Sequence, residues 1–197
     1  IENGKTKKIL KVDNDKISKV VSSQHFKPTS NFEELENAGV IIICVPTPID
    51  KNKVPDLQFI ETTAEKISGI LRKGQLIILE STTYPGCSDM ILKPILEKSG
   101  LISGTDFYLS YSPERVDPGN KEFDSIKIPK VVGGDGEEAL RLSTTLYGEV
   151  FDSIVPVSSM ASAEATKLTE NIFRSVNISL INELKLIFSK MDVDVWE

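Results

Sequence analysis

Short apolar runs alternate along this chain with segments of helical periodicity. The runs Val40 to Val45, Leu76 to Glu80, Phe107 to Tyr111, Lys130 to Val132 and Ser153 to Pro156 are rich in Val, Ile and Leu. Gly, Pro, Asp and Ser bound them, which marks strands. Between them, Asp56 to Arg72 carries Leu57, Ile60, Ala64, Ile67, Ile70 and Leu71 at helical spacing. Cys87 to Lys98 repeats the pattern with Met90, Ile91, Leu92, Ile95 and Leu96, with Pro94 inside it as a source of a kink and Gly100 as a stop. Gly136 to Tyr147 adds a further helix through Ala139, Leu140, Leu142 and Leu146. Strands alternating with crossover helices predict an α/β fold around a parallel sheet.

The last segment differs in kind. Ser159 to Lys190 is a helical pattern of roughly 30 residues without Gly or Pro, longer than a crossover helix, and it reads as a helix leaving one domain to open another. Ala165, Leu168, Ile172, Val176, Leu180, Leu184 and Ile187 form its apolar stripe. At the other end, Ile1-Glu2-Asn3-Gly4 resembles the end of a helix and its cap. A dinucleotide fold begins with a strand, a glycine-rich turn and a helix, and the sequence contains no G-x-G-x-x-G. Gly133-Gly134-Asp135-Gly136 reads as an ordinary strand-to-helix turn. The expected architecture is therefore a Rossmann-like sheet over residues 1–156 lacking its first βα unit, followed at 157–197 by a long helix that opens a further domain.

Composition narrows the function classes. The 197 residues carry a net charge of -6, which gives no basic footprint for nucleic acid. No apolar run approaches the roughly 20 residues of a membrane helix, and the first residues lack the order of a signal peptide, so a cytoplasmic protein is expected. Two cysteines, Cys44 and Cys87, and one histidine, His25, assemble no metal spacing.

Polar residues gather where strands end, the place where α/β proteins keep their chemistry. Cys44-Val45-Pro46-Thr47-Pro48 follows the first run, Glu80-Ser81-Thr82-Thr83-Tyr84-Pro85-Gly86 the second, and Tyr111-Ser112-Pro113-Glu114-Arg115-Val116-Asp117-Pro118-Gly119-Asn120 the third. The three strand ends are expected to meet at one edge of the sheet. Lys167 and Asn171, four residues apart on the long helix, face the same way and can reach one bound molecule.

These motifs, with Pro129-Lys130-Val131-Val132-Gly133-Gly134 and Glu164-Ala165-Thr166-Lys167-Leu168-Thr169-Glu170-Asn171, carry a resemblance along nearly the whole chain. The sequence resembles an internal piece of the UDP-glucose/GDP-mannose dehydrogenase family, in particular its UDP-N-acetylhexosamine 6-dehydrogenase branch. The resemblance implies oxidation of a nucleotide-sugar C6 alcohol to a carboxylate, in two hydride transfers to NAD through a cysteine thioester. It places the nucleophilic cysteine, like the phosphate loop, outside these residues, so the chain alone is expected to be inactive.

Residue by residue, the resemblance gives Glu114 an acid/base or water-positioning role, and Arg115, Val116 and Asp117 contacts to the sugar nucleotide. Lys167 stabilises developing negative charge on oxygen, and Asn171 hydrogen-bonds the substrate. Thr82 and Ser81, with Thr83, face the nicotinamide ribose or a hydrolytic water, while Cys44, Val45, Pro46 and Thr47 pass beside the adenosine side of the cofactor. The family's central domain implies a homodimer through the long helix. Cys87 lies near a helix N-terminus, a setting that lowers thiol pKa, yet no base partner is evident and it is expected to be unreactive. Two rivals remain: a non-catalytic nucleotide-binding or dimerisation module, and a 3-hydroxyacid or 6-phosphogluconate type dehydrogenase, which is expected to lack the Ser-Pro-Glu loop. The sugar epimer and the choice of NAD over NADP stay open.

Overall fold

The computed structural model describes residues 14–115 and 125–197. Of the described residues, those up to Glu34 form a unit of their own, in which helix α1 (Asn14–Ser22) is followed by a segment held by a 2.7 Å ion pair between Lys27 and Glu34. Everything from Leu35 onward forms the second unit, which contains the sheet.

Five strands, β1 (Val40–Ile43), β2 (Leu76–Leu79), β3 (Tyr108–Tyr111), β4 (Lys130–Gly134) and β5 (Ile154–Val157), lie in that spatial order. All five expected runs are strands, most of them trimmed by a residue or two. The helices α2 (Gln58–Ser68), α3 (Lys93–Glu97), α4 (Glu137–Gly148) and α5 (Met160–Ser189) also fall where periodicity places them. The α/β class stands, but the sheet is mixed: β1, β2 and β3 are parallel, β4 runs antiparallel to β3, and β5 is parallel to β4. In this antiparallel step β4 starts at the sheet edge where β3 ends, so its first residue lies beside the carboxyl end of β3.

Alternation along the strands builds two cores. Ile41, Ile43, Ile77, Leu79, Leu109 and Tyr111 point to one face, under α2 and α3 and the first turn of α5. Leu76, Ile78, Val132 and Tyr147 form the other, packed by Leu140, Leu146 and Phe151 from α4 and its C-terminal side. The interior strand β2 is buried at every residue, as parallel strands covered on both faces are. Ile42, on the α4 face of β1, stays 44% exposed because α4 packs on β2 to β5 and not on β1.

The expected helix from Cys87 to Lys98 is interrupted, as Pro94 foretold. Residues Ser88–Leu92 make a π-helical turn, Lys93 N donates to Ser88 O, and α3 starts with Pro94 in its first turn. A proline has no N–H to continue the α-helical ladder, so the wider turn absorbs the missing bond. Two glycines set the seam between β4 and its helices. A Cβ on Gly133 would lie 2.7 Å from Ser159 C and 2.9 Å from Met160 Cα, and one on Gly134 would lie 2.7 Å from Leu140 Cα, so only glycine lets α5 and α4 close on the strand. Because β4 is antiparallel, its Gly133-Gly134-Asp135-Gly136 turn points to the edge opposite the ends of β1 to β3. It is the ordinary strand-to-helix turn the sequence suggested.

Candidate active site

The carboxyl ends of β1, β2 and β3 lie side by side, and backbone bonds carry the alignment into the loops. Glu80 N donates to Ile43 O at 2.9 Å and Ser112 N to Leu79 O at 3.0 Å. The buried hydroxyl of Ser81 accepts from Val45 N at 2.9 Å and donates to Val45 O at 2.7 Å, so it stitches the first two loops together. Thr83 is buried and donates to Tyr84 O at 3.0 Å, whereas Thr82 between them is exposed. Of the three hydroxyls, Thr82 is the one turned to solvent. Val45 and Thr47 are half-buried, Pro46 exposed. Cys44 is exposed, and its thiol is pushed up to about 11, first by desolvation and then by the charge of Glu80.

Behind these loops sits an ionic cluster that sequence reading did not single out. Glu80, at the end of β2, accepts from Lys130 Nζ at 2.9 Å, from the Tyr147 hydroxyl and from Cys44 Sγ at 3.7 Å. Lys130 is only 4% exposed. Its ammonium lies 4.9 Å from the Tyr147 ring centre and 5.3 Å from that of Phe151. Aromatic faces and one carboxylate together offset the cost of removing the cation from water. The antiparallel course of β4 explains why a lysine stands here: the first residue of that strand lies beyond the carboxyl end of β3.

Glu114 and Lys167 come together, but not head to head. The Lys167 ammonium donates to the main-chain carbonyl of Glu114, while the Glu114 carboxylate turns to Lys130, 3.8 Å away. Burial holds the Lys167 ammonium below the ordinary lysine value, against the opposing charges of Glu170 and Glu114. Arg115 is gripped by Glu170 through two nitrogens, Nε at 3.1 Å among them, and gives Nη1 to Pro129 O at 2.8 Å. Lys167, Glu170, Arg174 and Asn177 from α5, with Arg115, wall a cavity of about 490 Å³. Asn171 is partly buried one turn past Lys167 and is not among the lining residues; the spacing of three and seven residues, rather than four, faces the cavity. Val116 and Asp117 lie outside the described residues.

A second buried carboxylate fastens α5 to the loop after β2. Glu164 accepts from Gly86 N at 2.5 Å, Ser88 N at 2.9 Å and Ser88 Oγ at 2.7 Å, and burial raises its pKa. Cys87, beside it, is fully buried, and burial raises its thiol pKa despite the neighbouring helix start. Glu80, Lys130, Glu164 and Glu170 all stand in the motifs quoted above. The available signal was a charged residue at the boundary of an otherwise apolar strand or helix face, but no periodicity names its partner.

A Rossmann-type sheet whose strand-end loops meet a long helix defines the class: an α/β dehydrogenase fold. The chain matches the NAD binding domain of the UDP-glucose/GDP-mannose dehydrogenase family over residues 3–151 and that family's central domain over 161–197. It belongs to this family. A UDP-N-acetyl-D-glucosamine 6-dehydrogenase of Pseudomonas aeruginosa is 44% identical over 168 residues, covering 84% of this chain and 40% of that protein. The solved structure of a UDP-D-ManNAc dehydrogenase from Pyrococcus horikoshii is 35% identical with a TM-score of 0.86, covering 93% of this chain and 44% of that one. A ternary complex of GDP-mannose dehydrogenase from Pseudomonas aeruginosa gives a TM-score of 0.88 at 26% identity, over 97% of this chain and 45% of that one. The chain thus spans less than half the length of these relatives. Among the described residues no helix is long and apolar enough to cross a membrane.

Proposed function

We propose that this chain is the cofactor-side half of a cytoplasmic, NAD-dependent UDP-N-acetylhexosamine 6-dehydrogenase. Residues 1–156 form its cofactor domain and 157–197 open the central domain. The observation that supports this most is the meeting of Glu114, from the loop after β3, with Lys167, from α5, at the sheet edge where Thr82 is also presented. Ligands of open α/β sheets bind outside the carboxyl ends of the strands.

The residues present fit one side of a dinucleotide. The Ser81 stitch holds the Cys44 to Thr47 loop against the Ser81 to Thr83 loop, leaving Thr82 exposed for a ribose or a water. The sequence has no glycine-rich turn for the pyrophosphate, so this chain supplies only that side. NAD, when bound, supplies the hydride acceptor for each oxidation at the sugar C6. Glu114 then takes or positions a proton near C6, and Lys167 stabilises negative charge that develops on the substrate oxygen. Arg115, held by Glu170, contacts the sugar nucleotide. Cys87, sealed in the core, is not the nucleophile that forms the thioester.

NADH formation with UDP-N-acetylglucosamine and UDP-N-acetylmannosamine tests the reading in two settings. The isolated chain is expected to produce none, and a polypeptide joining it to the flanking segments of its relatives is expected to turn over at least one of them. Turnover by neither sugar in the joined protein refutes the proposal. A second reading, a dimerisation module without catalysis, draws on the apolar residues that α5 leaves exposed. Self-association of the joined protein without NADH formation is the outcome that favours it. In the enzyme reading the same helix face joins two copies.

A further inference from the structure

We infer that Lys130 is the positioning residue for Glu114, aiming its carboxylate at the reacting centre; this rests on the function proposed above. Residue 114 is held at two points by two lysines. Lys167 fixes its main-chain carbonyl, and Lys130, from a different element, takes Oε2 at 3.8 Å. The Glu114 side chain is 52% exposed, and among the described residues Lys130 is its ion-pair partner. The space bounded by Glu114, Pro129, Lys130 and Phe151 is about 10 Å³, room for no more than one water between cation and carboxylate.

Lys130 is itself aimed. An ammonium has three N–H donors. One goes to Glu80 Oε1 at 2.9 Å, and the rings of Tyr147 and Phe151 close off two flanks, leaving the direction of Glu114. Glu80 is in turn held by the Tyr147 hydroxyl and Cys44. Stability alone does not account for this arrangement, because a buried ion pair is commonly no better than apolar side chains of similar volume. Its product is a fixed cation beside a solvent-exposed carboxylate. A carboxylate displaced by about 1 Å from a reacting atom costs on the order of a hundredfold in rate, so fixing it is where this cluster acts.

The test uses Lys130→Met/Glu80→Gln, which removes both buried charges together and strands neither, beside Lys130→Arg, which keeps the cation. In crystal structures of this chain, Glu114 is expected to keep one orientation in the wild type and Lys130→Arg and to take several in the double variant. In the joined protein the double variant should lose roughly a hundredfold in kcat, with both KM values within about twofold, and Lys130→Arg should recover at least a tenth of the loss. An unchanged Glu114 orientation in the double variant, or a kcat within about threefold of wild type, overturns the inference. If the wild type turns over no nucleotide sugar, the functional proposal fails, and the orientation of Glu114 still decides this one.

Discussion

Helix α5 lives in two environments along one unbroken run. Its first turns are sealed: Met160, Ala163 and Glu164 are buried, Ser159 caps the start by accepting from Ser162 N at 3.1 Å, and Gly133 lets the backbone close on β4. Farther along, Phe173 is 70% exposed, Val176 60% and Leu186 65%. The expected apolar stripe does not dock on the sheet: Leu168 and Ile172 belong to the exposed part, and the buried side is set by residues 160, 163 and 164. A helix of 30 residues is about 45 Å long, far more than this sheet can cover. The part of α5 that belongs to the fold of this chain is marked by Met160 and Ala163 in the core and by the polar anchor at Glu164, not by the apolar content of the helix as a whole.

The sharpest way to break that contrast is to remove the anchor. Glu164→Ala leaves Gly86 N, Ser88 N and Ser88 Oγ without their acceptor. It should cost about 3 kcal/mol of unfolding free energy by urea denaturation. A loss below about 1 kcal/mol would show that α5 is held by something else.

The same residue carries a pH signature. Burial raises its pKa in the folded chain above the unfolded value, so the folded state binds the proton more tightly. Its contribution is therefore fully present below the ordinary glutamate value and is lost as pH rises through the raised folded one. The stability of wild type minus that of Glu164→Gln should fall with rising pH across that window and then level off. A difference that grows with pH contradicts the assignment.

Smaller effects sharpen the picture. Gly133→Ala forces a Cβ onto the backbone of Ser159 and Met160 and should cost about 2 kcal/mol. Ser159→Ala removes the cap and should cost about 1 kcal/mol, read from the same denaturation curves. At the far end, Leu180→Glu with Ile181→Glu changes exposed positions and should shift stability by no more than about 0.5 kcal/mol. Sedimentation should show self-association weakened at least tenfold by that pair. A large fall in Tm instead would mean that this half of α5 packs within the chain after all.

Much of the molecule is a matter of local pattern. Leu76 to Leu79 is a strand because a continuous aliphatic run suits a sheet covered on both faces, and Ser159 caps α5 because its hydroxyl reaches an otherwise unpaired N–H. The loops that hold Thr82 and Glu114 follow from where β2 and β3 stop. What local pattern cannot hold is the pairing of distant charges. Lys130 meets Glu80 and Glu114 only because β4 runs antiparallel to β3, and strand direction is a property of the assembled sheet, not of the periodicity of β4 itself. Glu164 and Glu170 likewise find Ser88 and Arg115 across the fold. Hydrophobic spacing reports which face of an element is dry; the partner of a buried charge depends on three-dimensional distance, and so emerges only once the elements are packed.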